Sequence, residues 1–236
     1  MTGSRRLALT VAGLLAVSGA MTLQVGAAAS LSVGSQQITP YRSCTITATP
    51  SSTTAVADVG VREASAGTNF GTATTNAVSS AAAANQRMYI RFDLTQCSPT
   101  IPSSSTIRLA TLRIYVSALP AACRTIDIFR STATWTETGI TWTNQPFGTT
   151  LNNPASGSRT GSFNVGTPAG CQNLAAGYVV GATVTTDVAA FAGGTSNFGW
   201  MLRDDVEASA TTRTTTFSAK NLGTLAQAPQ LVITYT

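Results

Sequence analysis

The residues able to do chemistry in this sequence are carboxylates, arginines and tyrosines, because the chain contains no histidine. Ser-His-Asp and Cys-His nucleophile systems are therefore excluded, as is a histidine general base. No glycine-rich phosphate cradle of the required spacing occurs either. The first group of interest is Tyr89, Arg91, Arg113, Tyr115 and Phe129. Tyrosine rings stack on sugars, and a guanidinium binds carboxylate or sulfate through two parallel hydrogen bonds. An arginine that neutralises a uronate beside a tyrosine that removes the adjacent proton would instead make a polysaccharide lyase. Tyr89 with Arg91, or Arg113 with Tyr115, would be that pair.

The second group is Asp204, Asp205 and Glu207, in the stretch after "GWML". Oxygen-rich loop clusters can hold structural calcium in secreted β modules, but a solvated turn is the commoner use of such residues and is expected here over calcium, with no other cofactor. Adjacent acids in a turn suit a glycosidase poorly, since that needs two carboxylates separated across a cleft. The third group is Trp135 and Trp142, within "WTETGITWTNQPFG". Their odd separation would point them to opposite faces of an unbroken strand, although Gly139 could interrupt it. Core packing is the commoner use of such rings, and it is expected here over sugar stacking.

Strands must position these side chains. In "RMYIRFDL", Met88, Ile90, Phe92 and Leu94 alternate with Arg87, Tyr89, Arg91 and Asp93. "ATLRIYV", "TIDIFR" and "LVITYT" repeat the period of two, with Gly, Pro, Asn and Ser clusters between them. The five aromatic and arginine residues then share an outward row if their strands share a sheet. Met88, Ile90, Phe92, Leu112, Ile114 and Ile128 fill the core opposite. Only "TTDVAAFAGG", Thr185 to Gly194, has the character of a short helix, and residues 72–86 suit a flexible loop or weak edge strand. The fold class is all-β: a two-sheet, jelly-roll-like β sandwich in a single domain.

The N-terminal 29 residues have the pattern of an export signal: Arg5 and Arg6, an apolar run from Leu7 to Met21, then Ala27-Ala28-Ala29. The expected organisation is a signal over 1–29, an N-terminal extension over 30–44 and the sandwich over 45–236. A secreted, extracellular monomer, free of the membrane after cleavage, is expected. Export makes Cys44, Cys97, Cys123 and Cys171 disulfide partners. Three pairings are open. Cys44–Cys97 with Cys123–Cys171 is favoured, each closing about fifty residues and worth roughly 4 kcal/mol in chain-entropy terms.

Without Arg5 and Arg6 the fourteen basic residues become twelve against nine acids, and the net charge falls from +5 to +3. The basic residues are spread along the chain, with no run of the nucleic-acid-binding kind. A mild arginine bias suits an acidic polysaccharide.

"ADVGVREASAGTNFG" (Ala57 to Gly71), "NQRMYIRFDL", "ATLRIYV", "WTETGITWTNQP", "GWMLRDD" and the closing "PQLVITYT" follow one another in order. This series resembles the DNRLRE domain, the disaggregatase-related module also grouped with carbohydrate-binding module family 96. The resemblance runs from about Thr45 to the C-terminus. It implies a jelly-roll-like sandwich that binds polysaccharide without catalysis, often beside a lyase or hydrolase. It also implies lysine-rich surfaces for alginate-like polymers, whereas this chain has Lys220 alone. Two other classes stay open: the Arg/Tyr lyase above, and a structural protein of an extracellular matrix or envelope without sugar specificity.

Overall fold

The computed structural model describes residues 40–50, 55–168, 171 and 177–236, all within the compact unit Thr39–Thr236. The expected signal lies outside the described residues. Among the described residues, twelve strands and one α-helix form in this order: β1 (Arg42–Thr47), β2 (Val56–Arg62), β3 (Thr75–Ser80), β4 (Gln86–Phe92), β5 (Ile107–Arg113), β6 (Tyr115–Ala118), β7 (Arg124–Arg130), β8 (Gly161–Val165), β9 (Gly177–Tyr178), α1 (Thr185–Ala192), β10 (Trp200–Asp204), β11 (Arg213–Ser218) and β12 (Gln230–Tyr235). The alternating segments become β4, β5 with β6, β7 and β12, and the helix falls where its composition placed it.

All pairings are antiparallel. A three-stranded sheet has the order β1-β12-β5, and a nine-stranded sheet runs β8-β7-β10-β4-β3-β11-β6-β9 with β2 beside β4. This is an all-β sandwich. β5 and β6 are nearly one strand: Ile114 separates them, and the chain leaves the small sheet at Arg113 to join β11 of the large one. A strand that switches sheets makes a corner of the sandwich.

The facing sides of the sheets share one core. Ile46, Ala110, Leu112, Leu231 and Ile233 come from the small sheet, and Met88, Ile90, Phe92, Ile126, Ile128, Trp200 and Leu202 from the large one. Removal of this apolar surface from water is the main driving force for the fold. The disulfides are Cys44–Cys97 and Cys123–Cys171, the favoured pairing. The first fastens β1 of the small sheet to the segment that follows β4 of the large one.

Two expectations need correction. Residues 75–80 are neither loop nor edge: β3 lies between β4 and β11, paired with β11 along all six positions. Its two serine hydroxyls are satisfied internally. Ser79 Oγ bonds Thr214 Oγ1 at 2.8 Å, and Ser80 Oγ donates to the Val206 carbonyl at 2.6 Å. A strand that buries hydroxyls in this way has no apolar alternation to read.

The second correction concerns the outer face of the large sheet. Ala57, Val59, Val61, Tyr89, Phe129 and Met201 on that face pack under Trp135, Ile140 and Trp142. The β7–β8 connection, residues 131–160, thus forms a third layer and a second core. Strands with alternating apolar and polar residues are here buried on both sides, so that outward Arg87 and Arg203 are internal and outward Arg91 is half-buried.

Candidate functional site

The five residues of the expected ligand row do not share a face. Tyr89 and Phe129 are buried beneath the outer layer, with Tyr89 edge-on to Trp135 at 5.6 Å between centroids. Tyr89 Oη donates to Gln145 Oε1 at 3.1 Å, and burial pushes the phenol well above its ordinary range. A buried phenol held protonated is a poor base for a lyase. Arg91 lies half-buried with its guanidinium 5.5 Å from the Trp135 ring. Arg113 belongs to the small sheet, where it donates to Gln230 Oε1 at 2.9 Å and stacks 4.4 Å from the Tyr178 ring. Tyr115 meets Tyr178 edge-on at 5.5 Å, so Arg113, Tyr115 and Tyr178 form a half-buried patch of their own.

The acidic group is divided between two arginines. Arg124 holds both Asp204 and Asp205. Burial and the neighbouring Asp204 raise the Asp205 carboxyl above its ordinary value. Glu207 turns to Arg87 instead, with Nε–Oε1 at 2.7 Å and Nη2–Oε2 at 2.8 Å. Arg87 also donates to Gln145 Oε1 and to the carbonyls of Gly148 and Thr150, and lies 4.8 Å from the Trp142 ring. These contacts lock the outer layer to β4. The three carboxylates therefore do not converge, and no His/Cys/Asp/Glu group among the described residues is placed to hold a metal ion.

Arg203 has a similar structural role. Its Nη atoms donate to the carbonyls of Pro154, Asp204 and Asp205, and its guanidinium sits 4.9 Å from the Phe129 ring. Trp135 and Trp142 are both buried, and Trp135 Nε1 donates to the Phe198 carbonyl at 2.7 Å. They are scaffold, as expected, although the segment is a series of turns rather than a strand.

A cleft of ≈ 530 Å³ opens where β7 ends, between the outer layer and the first turn of α1. Phe129 and Phe147 supply its apolar surface, and Arg130, Arg159, Thr160 and Asp187 its polar groups. The Arg130 and Arg159 side chains are 39% and 43% exposed. Each has an acid at 3.6 Å, Asp187 for Arg130 and Asp127 for Arg159. That is longer than a charge-assisted hydrogen bond, so these contacts leave donors to spare. Asp187 is itself held, accepting from Trp200 Nε1 at 2.8 Å and Thr160 Oγ1 at 2.6 Å. The cleft therefore presents two fixed guanidinium groups beside aromatic surface. Sequence reading missed it because Arg130 and Arg159 are far apart in the chain and the second lies in an irregular connection.

A second polar cluster lies at the edge of β2. Lys220, the only lysine, is buried; Nζ donates to the Val56 carbonyl at 2.9 Å and to Glu137 Oε2 at 2.5 Å. Its backbone N–H donates to Asp58 Oδ2 at 2.9 Å. Burial pushes the Asp58 carboxyl up to about 7, opposed by the Lys220 N–H. The folded state thus holds a proton that the unfolded chain, with a carboxyl near 3.8, gives up earlier. Stability from this group is fully present below 3.8 and is lost as pH rises toward about 7. Asp58→Asn is expected to flatten the pH dependence of the urea midpoint across that window. An unchanged slope would assign it to other groups.

No helix among the described residues is long and apolar enough to cross a membrane. No curated protein is similar enough to match the chain. The profile of carbohydrate-binding module family 96 matches residues 49–235, which takes in every strand except β1. The chain belongs to carbohydrate-binding module family 96.

Proposed function

We propose that the protein is a secreted, non-catalytic module that binds acidic polysaccharide in the cleft between the outer layer and α1. Membership of a carbohydrate-binding family supports a carbohydrate partner. The observation that carries the acidic preference is the pair of half-exposed arginines in a cleft with aromatic surface. Arginine forks match carboxylate and sulfate geometry, while the part-exposed Phe147 ring offers apolar surface to a sugar face. The lone lysine is buried and contributes nothing to such a surface. Two disulfides and an export-type leader support the extracellular location.

Replacement of Arg130 and Arg159 together by alanine is expected to weaken binding to a polyuronate about tenfold or more, at roughly 1.5–3 kcal/mol per charged hydrogen bond. The salt dependence of binding should flatten, since screening acts on the charged contacts. The melting temperature should fall as well, because Arg159 is the ion-pair partner of the fully buried Asp127, so binding is compared at a temperature where both variants are folded. Titration calorimetry of the double variant against Arg91→Ala/Arg113→Ala is the test. Undiminished binding by the cleft variant, with loss in the Arg113 variant, would move the site to the Arg113–Tyr115–Tyr178 patch. Unsaturated products on incubation with the polymer would establish a lyase, and a blank glycan array would favour a structural role.

A further inference from the structure

A buried lysine is costly unless its charge is met or removed. In this chain the single lysine is surrounded by carboxyl groups that are incompletely satisfied. Glu137 Oε1 and Asp58 Oδ1 are both buried and have no hydrogen-bond partner. Lys220 meets Glu137 through Nζ and Asp58 through its backbone N–H. Both acids and the amine are held by rigid neighbours. Asn69 Nδ2 donates to the Glu137 carbonyl at 2.8 Å and to the Ile140 carbonyl at 2.7 Å, fixing the turn that carries Glu137. That same carbonyl lies so close to Gly71 that a side chain there would collide with it. Asn221, next to Lys220, donates to the Gly71 carbonyl at 2.9 Å and ties the two turns together.

We propose that the ε-amino group of Lys220 and the carboxyl group of Glu137 condense to an amide, an intramolecular isopeptide bond that fastens the outer layer to the turn after β11. The Nζ–Oε2 distance of 2.5 Å places the amine against the carboxyl before any bond forms. Fixed juxtaposition of this kind turns a slow bimolecular condensation into a fast unimolecular one. The reaction needs no outside reagent. One proton passes from the ammonium to the Glu137 carboxylate, leaving a neutral amine and a neutral acid. Nζ then attacks Cδ, the C–O bond breaks, and the departing oxygen leaves as water. Of the three hydrogens on the ammonium, one stays on the amide nitrogen and two leave with that oxygen. Asp58, held next to Lys220 by that residue's backbone N–H and with Oδ1 buried and unpartnered, is the group given the transfer of protons between nitrogen and oxygen. Its carboxyl, held up to about 7 by burial, both takes and gives a proton near neutral pH. The product removes two buried charges and replaces a titratable contact with a neutral one.

Peptide mapping of the reduced, denatured protein tests this directly. The expected result is a peptide pair joined through Lys220 and Glu137, lighter than the two peptides together by one water. Trypsin should fail to cut after Lys220, and an amine reagent should label only the N-terminus. Asp58→Asn is expected to keep the full mass and a free Lys220 amine. Full mass and a labelled Lys220 in the wild-type protein overturn the proposal, whatever the variants do. A link to Asp58 in place of Glu137 overturns the assignment of the electrophile. An Asp58→Asn protein that still loses water overturns the role given to Asp58.

Discussion

Glu207→Ala is expected to cost about 3–5 kcal/mol, the range for removing one partner of a fully buried ion pair. Neither the Arg87 nor the Glu207 side chain is exposed to solvent. The substitution leaves the Arg87 charge inside the protein with only Gln145 and two carbonyls as acceptors. It also leaves the Asn152 backbone N–H, which donates to Glu207 Oε2 at 2.6 Å, without its acceptor, while the bond from the backbone N–H of residue 207 to Asn152 Oδ1 remains. Asn152 has φ of 56°, so this left-handed turn loses one of its two anchors as well. Denaturant titration measures the loss. A cost no larger than that of a surface pair, about 0.2–1 kcal/mol, would mean that water reaches Arg87 in the folded protein.

Trp142→Ala is expected to destabilise by about 3–5 kcal/mol, the usual range for deleting a large buried aromatic side chain. The ring fills the second core with Ile140, Trp135 and Tyr89 and carries the Arg87 guanidinium over its face. Thermal melts give the size of the effect. The milder Trp142→Phe separates packing from recognition: it should melt lower than wild type and still bind a polyuronate when folded. If it stays folded and loses the sugar, the tryptophan is part of the binding surface.

The first core was legible in the sequence because the small sheet and the inner face of the large one follow simple alternation. Leu112, Ile233, Ile90 and Ile128 are inside as their period predicts. The same alternation misplaced Tyr89 and Phe129. Period two says which residues share a face, and it does not say whether that face meets water. An irregular segment, residues 131–160, covers the face, and its turns carry no period that would reveal a layer. Arg87, Arg203 and Glu207 were hidden for the same reason: charged residues on strands resemble a solvated surface until something packs over them. The cleft needs Arg130 from a strand end and Arg159 from that covering segment. Its formation depends on the layer that the pattern does not show.

The position of β12 has a mechanical consequence. β1 and β12 are antiparallel neighbours, and Arg42 at the start of one faces Tyr235 at the end of the other. The chain therefore enters and leaves the sandwich at one corner. Tension applied between its two ends would load the β1–β12 hydrogen bonds one after another, as in opening a zipper, rather than all at once in shear. On the N-terminal side the opening runs only two residues before the Cys44–Cys97 bond takes the force. On the C-terminal side no covalent bond interrupts β12, so that strand peels first, from β1 and β5 together, and exposes the floor of the first core. A stretched molecule should thus yield from its C-terminal strand while the cleft, built on β7, the outer layer and α1, stays intact.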